Sequence, residues 1–254
     1  MKFTKNIIVF TIVAIIIVLS IVLTFVPEQF NQDPLYQIIH PNSSIKKIKF
    51  PKKIFQTYHS IEKIPNYIHE NRRMYAPKYE VFILDDKIGL EFLKYNFNND
   101  VVNKYNELSG AHRADLLRYC LLYIHGGVYM DIKTILTRNI DSFLKFDGPQ
   151  RLYSVKSMID DTVYQGFIAS TSKNPIFLEL IKKILNTDVK KTKSDYLIFT
   201  RQMHDTVNKD ATVTLFTEKC VKDGPTLDRY GLYCICVDKN GEKLFNIRDP
   251  NYPY

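Results

Sequence analysis

The chain has 254 residues, of which 45% are hydrophobic and 24% are charged, with 35 Lys and Arg against 27 Asp and Glu. This length allows one or two globular domains, and the average apolar and charged fractions exclude a disordered, collagen-like or multi-span membrane protein. Four Cys are too few for a scaffold built on disulfides, and the net charge of +8 raises the question of nucleic-acid binding.

An uncharged run covers residues 7–26, and its 20 residues can span the ~30 Å hydrocarbon core of a bilayer as a helix. A cleaved signal peptide has a shorter apolar region of about 7–15 residues, so an uncleaved anchor is favoured. Lys2 and Lys5 precede the run, and Glu28 and Asp33 follow it. The positive-inside rule therefore predicts a single-pass type II membrane protein whose remainder is lumenal (Golgi or ER) or extracytoplasmic.

The polar stretch at 27–49 contains three prolines and a sequon at Asn42, and it is interpreted as a stem. Five of the eight excess positive charges precede Ile54, so the rest of the chain is close to balanced. A nucleic-acid-binding domain would concentrate more basic charge on one face, and we expect no nucleic-acid partner. The predicted organisation is a cytoplasmic tip and anchor at 1–26, the stem, and one domain at 50–254.

Strand-like and helix-like stretches alternate after the stem, which predicts an α/β fold. Ser109 is a candidate N-cap for the longest helix, and Gly126-Gly127 can end it. The predicted strands cover 53–58, 79–84, 128–130, 164–169 and 232–237, and the predicted helices cover 65–75, 88–97, 101–108, 110–125 and 175–185.

The segment from 111 to 133 combines an amphipathic helix, a glycine stop, a short apolar strand and a carboxylate, Asp131, at the strand's carboxyl end. Asp115 and Arg118 are neighbours on the helix at i and i+3. In open α/β sheets, ligands bind at the carboxyl ends of strands. A surface ion pair with a turn aspartate is the simpler explanation. The paired glycines weaken it, because they let the helix and strand backbones approach closely. The predicted buried stripe is Leu116, Leu117, Cys120, Leu121 and Ile124.

The motifs Pro51–Tyr58, Ala114–Tyr119, Gly126–Tyr129 and Met130-Asp131 together resemble the sugar-transferase family with the DXD motif. This is glycosyltransferase family 32, which includes fungal Golgi mannosyltransferases and is distantly related to the clostridial toxin glucosyltransferases. The resemblance covers about residues 50–135 and continues more faintly at 165–170 and 223–225. It implies a GT-A (Rossmann-like) fold and retaining transfer of a hexose from a UDP- or GDP-sugar to a carbohydrate, glycolipid or glycoprotein acceptor, typically with Mn²⁺ or Mg²⁺.

Carried over position by position, the resemblance implies that Asp115 and Arg118 hold the hydroxyls of the donor sugar. Asp131 matches the first aspartate of the DXD motif, which meets the donor and the metal shell. The segment with Gln56, Thr57 and Tyr58 matches the part that embraces the nucleotide base. The family usually has His-Gln-Thr-Trp there, and this chain has Phe-Gln-Thr-Tyr.

Lys133 stands where the family pattern has its second aspartate. The departing diphosphate needs a cation to meet its developing charge, and a divalent ion is the usual solution. On an extended backbone, residues 131 and 133 point the same way. Lys133 is then a catalytic cation beside Asp131 in a metal-independent enzyme. Alternatively, Asp131 and the diphosphate hold the metal with a ligand from the C-terminal half.

Two further hypotheses come from other classes. Lys133 and the short C-terminus suit a catalytically inactive sugar- or nucleotide-binding protein on the same fold. A membrane-tethered adaptor using the basic cluster Lys46–Lys53 requires that cluster to face the cytosol. Among the cysteines, Cys234 and Cys236 alternate on a strand and are not expected to bridge each other, whereas either can pair with Cys220 in an oxidising lumen.

Overall fold

A computed structural model describes residues 50–222, 224 and 231–249. The predicted anchor and stem lie outside the described residues. No helix within the described ranges combines the length and the apolar character that crossing a bilayer requires. The described elements are β1 (Lys53–Thr57), α1 (Asn66–Tyr75), β2 (Glu80–Leu84), α2 (Asp86–Asn96), α3 (Asn99–Glu107), α4 (Gly110–His125), β3 (Gly127–Met130), β4 (Ile135–Leu136), β5 (Leu152–Lys156), β6 (Val163–Ser170), α5 (Pro175–Leu185), α6 (Val189–Ser194), α7 (Ile198–Val207), β7 (Val213–Val221), β8 (Tyr233–Val237) and β9 (Lys243–Asn246).

The strands form one mixed sheet in the order β2-β1-β3-β6-β5-β7-β8-β9-β4. β1 runs parallel to β2 and β3, and β5 runs parallel to β7, whereas the remaining neighbours are antiparallel. As a result, the carboxyl ends of β1, β2, β3, β5 and β7 lie along one edge, together with the amino ends of β6 and β8. We call this the site edge. The predicted α/β class is confirmed.

Helix α4 is the central element of one face of the sheet. It packs against α5 and against β1, β3 and β6, and its residues from Asp115 to Tyr123 are all buried. The predicted apolar stripe is confirmed except at Ile124, which is half-buried. The helix is more deeply enclosed than an amphipathic pattern implies, because α5 covers the side opposite the sheet. Ser109 occupies the N-cap position without making the side-chain capping bond.

The glycine pair after α4 allows two close backbone approaches, as predicted. Gly126 has φ +65°, and a Cβ there would lie 2.4 Å from the backbone nitrogen of Ser172. Gly127 has φ +94°, and a Cβ would lie 2.7 Å from the carbonyl oxygen of Lys53. Only glycine fits both the positive φ and the contact. The pair therefore brings the end of α4 directly into β3, with Asp131 just beyond it.

The opposite face of the sheet is covered by the irregular segment between β4 and β5. Its apolar side chains meet those of β1, β3, β6 and β9 in one continuous cluster. Phe143 of this segment packs on the rings of Phe167 and Phe245 in the sheet, with centroids 6.1 and 6.4 Å apart. This packing fixes the strand order, and with it the set of strand ends that reach the site edge. The buried members that span the two layers include Ile54, Val128, Met130, Leu136, Ile140, Leu144, Phe167, Phe216 and Phe245.

Candidate active site

Two cavities open along the site edge, one on each side of the first turn of α4. The larger, of about 450 Å³, lies over the ends of β3, β6, β5, β7 and β8. The smaller, of about 260 Å³, lies over the ends of β1 and β2. Ala111 lines both. The larger cavity is lined by Ala111, Asp115, Arg118, Asp131, Lys133, Ser157, Met158, Ile159, Thr162, Val163, Tyr164, Gln165, Gly166, Tyr196, Leu197, Thr200, Glu218, Cys220, Leu232, Cys234 and Arg248.

The structure brings Asp115, Arg118 and Asp131 together in the wall of the larger cavity, as the sequence predicts. Arg118 Nη2 lies 3.2 Å from Asp115 Oδ1, and Arg118 Nη1 lies 4.0 Å from Asp131 Oδ1. The guanidinium carbon stands 4.4 Å from the ring centroid of Tyr129 on β3, and Nη1 donates to the carbonyl of Gln165 at 2.6 Å. Arg118 thus links the helix, β3 and β6 with one buried cation.

Burial sets the charge state of this cluster. It raises the pKa of Asp115 to about 6, against the opposing fields of Arg118 and His112. For Arg118, burial disfavours the charge, yet the neighbouring Asp115 and Asp131 hold its pKa above the ordinary value. A carboxylate whose pKa is raised by burial beside a fixed cation is a common feature of functional sites. Near neutral pH the pair is ionised and can bind sugar hydroxyls.

Asp131 follows β3 and stands at the mouth of the cavity, with its side chain 26% exposed. Its backbone N–H donates to the carbonyl of Gly166 on β6 at 2.8 Å. A Cβ on Gly166 would lie 2.7 Å from Asp131 Oδ2 and 2.1 Å from the hydroxyl of Tyr164. The bare backbone at Gly166 therefore makes room for the Asp131 carboxylate beside Tyr164.

Lys133 lines the same cavity as Asp131, but the expected extended backbone between them is wrong. Residues 131–134 form a turn in which Thr134 donates its N–H to the carbonyl of Asp131 at 3.0 Å. The carbonyl of Lys133 accepts the N–H of Asp249 at 3.0 Å, which holds the turn against the chain after β9. The turn, rather than strand alternation, sends both side chains to the cavity.

Thr57 and Tyr58 lie in the smaller cavity, where the resemblance assigns the nucleotide base. Thr57 Oγ1 is 2.8 Å from the hydroxyl of Tyr129, which ties the end of β1 to β3. Tyr58 is half-buried and its ring packs against His59, with centroids 4.5 Å apart. An aromatic surface and the end of β2 at Leu84 thus border one cleft.

Gln56 differs from its two neighbours, since its side chain has no exposed surface. Its Nε2 donates to the carbonyls of Met130 and Asp131 at 3.2 and 3.4 Å. Arg72 on α1 approaches Gln56 Oε1 at 3.4 Å and donates to the carbonyl of Ile132 at 3.0 Å. Gln56 and Arg72 hold the backbone that carries Asp131 and Lys133, and the donor contact of Gln56 stays a prediction. No sequence pattern indicates this role for Arg72.

The far wall of the larger cavity is formed by β7 and β8. Cys220 and Cys234 lie opposite each other on these strands and form a disulfide, so one of the two open pairings is realised and Cys236 stays a buried thiol. Glu218 lies two residues before Cys220 and is buried beside the disulfide. No sequence motif indicates Glu218, because its place in the cavity depends on the pairing of β7 with β5 and β8.

The carboxylates of the cavity do not surround a common point as metal ligands would. Within the described residues, the one group of three candidate ligands is Glu218, Cys220 and Cys234, and its two sulfurs are joined in the disulfide. No comparable group surrounds Asp131 among the described side chains, and the nearby Lys133 and Arg118 are cations. The described side chains therefore supply no three-ligand divalent site at Asp131, and a metal bound there would rely on Asp131 together with the donor diphosphate.

Comparison with known proteins gives a family for the central segment. Residues 62–148 match the profile described as "Glycosyltransferase sugar-binding region containing DXD motif". This match confirms the resemblance for the motifs between Ala114 and Asp131.

The chain is also similar to curated proteins and to solved structures. The chain is 29% identical over 157 residues to mannosyl phosphorylinositol ceramide synthase SUR1 of Saccharomyces cerevisiae, covering 61% of this chain and 40% of that protein. It is 32% identical over 132 residues to the uncharacterized glycosyltransferase L373 of Acanthamoeba polyphaga mimivirus, covering 51% of each. The solved PaToxG glycosyltransferase aligns with a TM-score of 0.46 and 18% identity, over 71% of this chain and 76% of that one. The chain spans about half or less of the length of these two curated relatives.

Proposed function

Because residues 62–148 match the glycosyltransferase sugar-binding family that contains the DXD motif, we propose that the chain transfers a hexose from a nucleoside-diphosphate sugar to a hydroxyl acceptor. The observation that carries this proposal is the buried Asp115–Arg118 pair with Asp131 at the carboxyl edge of the sheet. Ionised groups that line a cavity provide the oriented hydrogen bonds that sugar hydroxyls need.

The two cavities give the donor a consistent orientation. The nucleotide base lies in the smaller cavity against Tyr58 and Thr57, and the sugar lies in the larger one, where Asp115 and Arg118 hold its hydroxyls. The diphosphate then crosses the first turn of α4 near Ala111, which lines both cavities. This placement agrees with the general rule that ligands of α/β sheets bind at the carboxyl ends of strands.

In the proposed reaction, one bond at the anomeric carbon forms as another breaks. The acceptor oxygen forms a bond to the anomeric carbon while the bond from that carbon to the diphosphate oxygen breaks, and the departing phosphate keeps the electron pair. The proton of the acceptor hydroxyl passes to a phosphate oxygen, and the nucleoside diphosphate leaves. The family resemblance supports retention of configuration, and no enzyme nucleophile is assigned.

Lys133 is the residue we assign to the charge of the departing diphosphate. It lines the larger cavity beside Asp131, at the position where the family pattern has an acid. Cations that are already oriented before reaction stabilise such developing charge at little reorganisation cost. We therefore propose a metal-independent enzyme. Donor hydrolysis that survives EDTA supports this assignment, and a strict requirement for Mn²⁺ contradicts it.

We also propose that the chain is anchored in a membrane. The apolar run at 7–26, with Lys2 and Lys5 before it, supports a type II anchor, and the Cys220–Cys234 disulfide suits an oxidising lumen. Relatives named mannosyl phosphorylinositol ceramide synthase support a glycolipid among the candidate acceptors. The domain at 50–254 is then lumenal, and protease protection in sealed vesicles separates this arrangement from a cytosolic adaptor.

Asp131→Asn tests the proposed site. The full chain, purified in detergent, is offered UDP- and GDP-sugars with and without Mn²⁺, and free sugar and nucleoside diphosphate are measured. We expect slow hydrolysis of at least one donor by the wild-type chain and a loss of about 100-fold or more in the variant, because the first aspartate contacts the donor directly. The control, Asp100→Asn, makes the same chemical change on the exposed face of α3 and retains full activity.

An alternative function has one specific observation in its favour. Lys133 replaces the second acid, which suits a protein that binds sugars or nucleotides without turning them over. Donor binding by calorimetry with no hydrolysis of any donor supports this alternative. Hydrolysis that Asp131→Asn abolishes contradicts it.

A further inference from the structure

Glu218 is a buried carboxylate that the proposed donor site does not use. It lies on β7 and is 9% exposed, and its side chain lines the larger cavity. In the sheet, β6 and β5 separate β7 from β3, which carries Asp131 at its end. Three strand spacings of about 4.8 Å place the two backbones roughly 14 Å apart. Glu218 therefore faces the cavity from the wall opposite the donor residues.

The two oxygens of this carboxylate have different surroundings. Oε2 accepts the hydroxyl of Ser157 at 2.7 Å and the N–H of Met158 at 3.0 Å, both from the turn after β5. The neighbour of Oε1 is Cys220 Sγ at 3.7 Å, and that sulfur carries no proton because it is in the disulfide. Oε2 thus fixes the side chain, and Oε1 has no donor among the described residues.

Burying an ionised oxygen without a donor is costly, and a ligand that donates a hydrogen bond offsets that cost. A metal is a poor candidate, because the disulfide removes both neighbouring thiolates as ligands and leaves one carboxylate. Met158, Ile159 and Leu232 line the same cavity with apolar side chains, and Ser157, Thr162 and Arg248 add polar groups. Apolar surface with a few oriented polar groups is typical of pockets for small ligands.

We infer that Glu218 is an acceptor-binding residue whose Oε1 accepts a hydrogen bond from a hydroxyl of a polyhydroxylated, sugar-like acceptor. This inference rests on the proposed transferase function. The reacting hydroxyl of the acceptor faces the donor sugar near Asp131, and Glu218 binds a second hydroxyl at the far wall. Two contacts at opposite ends of the acceptor orient it, which selects both the acceptor and the hydroxyl that reacts.

The test separates acceptor use from donor chemistry. The full chain in detergent is given a donor that it hydrolyses, together with methyl mannoside, methyl glucoside or methyl galactoside, and hydrolysis and disaccharide formation are measured in parallel. In Glu218→Gln, the single carbonyl oxygen of the amide cannot accept hydrogen bonds both from the N–H of Met158 and from the ligand hydroxyl. We expect kcat/KM for the glycoside to fall about 10- to 100-fold through KM, while donor hydrolysis in water stays within about twofold. Glu91→Gln, on the exposed face of α2, is the matched control and changes neither rate.

Two further measurements keep the inference falsifiable if Glu218→Gln lowers stability. Glu218→Asp retains the charge and withdraws the carboxylate from the cavity, so it also raises the KM for the glycoside. Monodeoxy glycosides identify the contacted hydroxyl. Removing that hydroxyl lowers kcat/KM for the glycoside in the wild-type chain and causes no further loss in Glu218→Gln.

Unchanged glycoside kinetics in both Glu218 variants overturn the inference, and so does a wild-type chain that hydrolyses the donor but transfers to none of the three glycosides. A wild-type chain that hydrolyses no donor contradicts the proposed function instead.

Discussion

The carboxyl group of Asp115 faces a buried arginine on one side and the sugar part of the cavity on the other. Its pKa of about 6 lies above the ordinary value of 3.8 because burial outweighs the attraction of Arg118. The group is ionised above that pKa and protonated below it. Only the ionised form accepts hydroxyls with both oxygens while paired with the guanidinium. If Asp115 holds the donor as proposed, the acidity of this one side chain controls donor binding.

We expect kcat/KM for the donor to be level above about pH 7 and to fall about tenfold per pH unit once the pH drops below about 6. The profile is measured between pH 5 and 8 with donor hydrolysis as the readout. Asp115→Asn has a lower value throughout and shows no fall in this window, because the titrating group is gone. A wild-type profile that is level down to pH 5 contradicts the assignment of Asp115 as a donor ligand.

Arg72 acts on the site through the backbone. It is 2% exposed, and burial lowers its pKa to about 9, so it remains charged at neutral pH. Removing it leaves the carbonyl of Ile132 without its donor and loosens the turn that carries Asp131 and Lys133. Because Lys133 is assigned to the departing group, a loosened turn affects the chemical step more than donor binding.

For Arg72→Met we expect kcat of donor hydrolysis to fall about tenfold with a nearly unchanged KM, and the free energy of unfolding to fall by about 2 kcal/mol because the buried carbonyl of Ile132 loses its donor. Arg72→Lys keeps a cationic donor and recovers part of kcat. The neighbouring Arg73 is exposed, so Arg73→Met serves as the control and behaves as wild type. A large rise in KM with normal kcat places Arg72 in donor binding and contradicts the positioning role.

At the scale of elements, the junction of α4 and β3 determines the site. The glycine pair directs the buried helix straight into the strand, so Asp115, Arg118 and Asp131 meet although the last two are 13 positions apart in the chain. A methyl group on Gly126 would meet the backbone of Ser172 at 2.4 Å, and a backbone neighbour cannot turn away as a side chain can.

We expect Gly126→Ala and Gly127→Ala each to lower the free energy of unfolding by more than about 3 kcal/mol, since clash adds to the strain of a positive φ. Gly241 has φ +81°, and no heavy atom lies within 4 Å of the place that a methyl group would take there. Gly241→Ala therefore tests backbone strain without a clash, and we expect it to lower the free energy of unfolding by about 1 kcal/mol. Urea unfolding of the full chain measures all three. Equal losses at Gly126 and Gly241 would show that the close approach contributes nothing.

The elements that sequence patterns predict are those with strong local signals. Three local signals place β1, β2, β3, β6, β8 and α1 to α5 within a few residues. They are the glycine stop after α4, the proline at the first turn of α5, and short runs of apolar residues in the strands. The polar helix α6 and the two-residue β4 escape such prediction, because six and two residues carry too little periodicity. Strand β7 escapes it because its buried and exposed positions alternate only in its second half.

The same distinction explains which site residues the sequence predicts. Asp115, Arg118 and Asp131 lie within one local motif, so their approach can be predicted from it. Glu218 reaches the site through strand pairings across a sheet whose order is β3-β6-β5-β7, and no local pattern specifies that order. Gln56 is a motif residue, but its burial, and hence its role, depends on Arg72 of α1.

At the scale of the whole molecule, the site edge has two parts. The ends of β2, β1 and β3 with α4 form the part assigned to the donor, and the ends of β5, β7 and β8 form the part that carries Glu218. The Cys220–Cys234 disulfide closes a loop of 14 residues between β7 and β8 and lies in the wall of the second part. Loss of the disulfide is therefore expected to lower the stability of the whole chain and to disturb the wall of the second part.

A disulfide over a loop of this length stabilises a folded chain by about 3 kcal/mol, chiefly by restricting the unfolded state. We expect Cys220→Ser to lower the free energy of unfolding by about this amount and to reduce transfer to a glycoside more than donor hydrolysis, because β3 and α4 do not depend on the link. Reductant should shift the wild-type chain in the same direction and leave Cys220→Ser unchanged, which separates the disulfide from the buried thiols of Cys120 and Cys236. Equal losses of transfer and hydrolysis would mean that the two parts of the edge are not separable, and the assignment of the second part to the acceptor would fail with them.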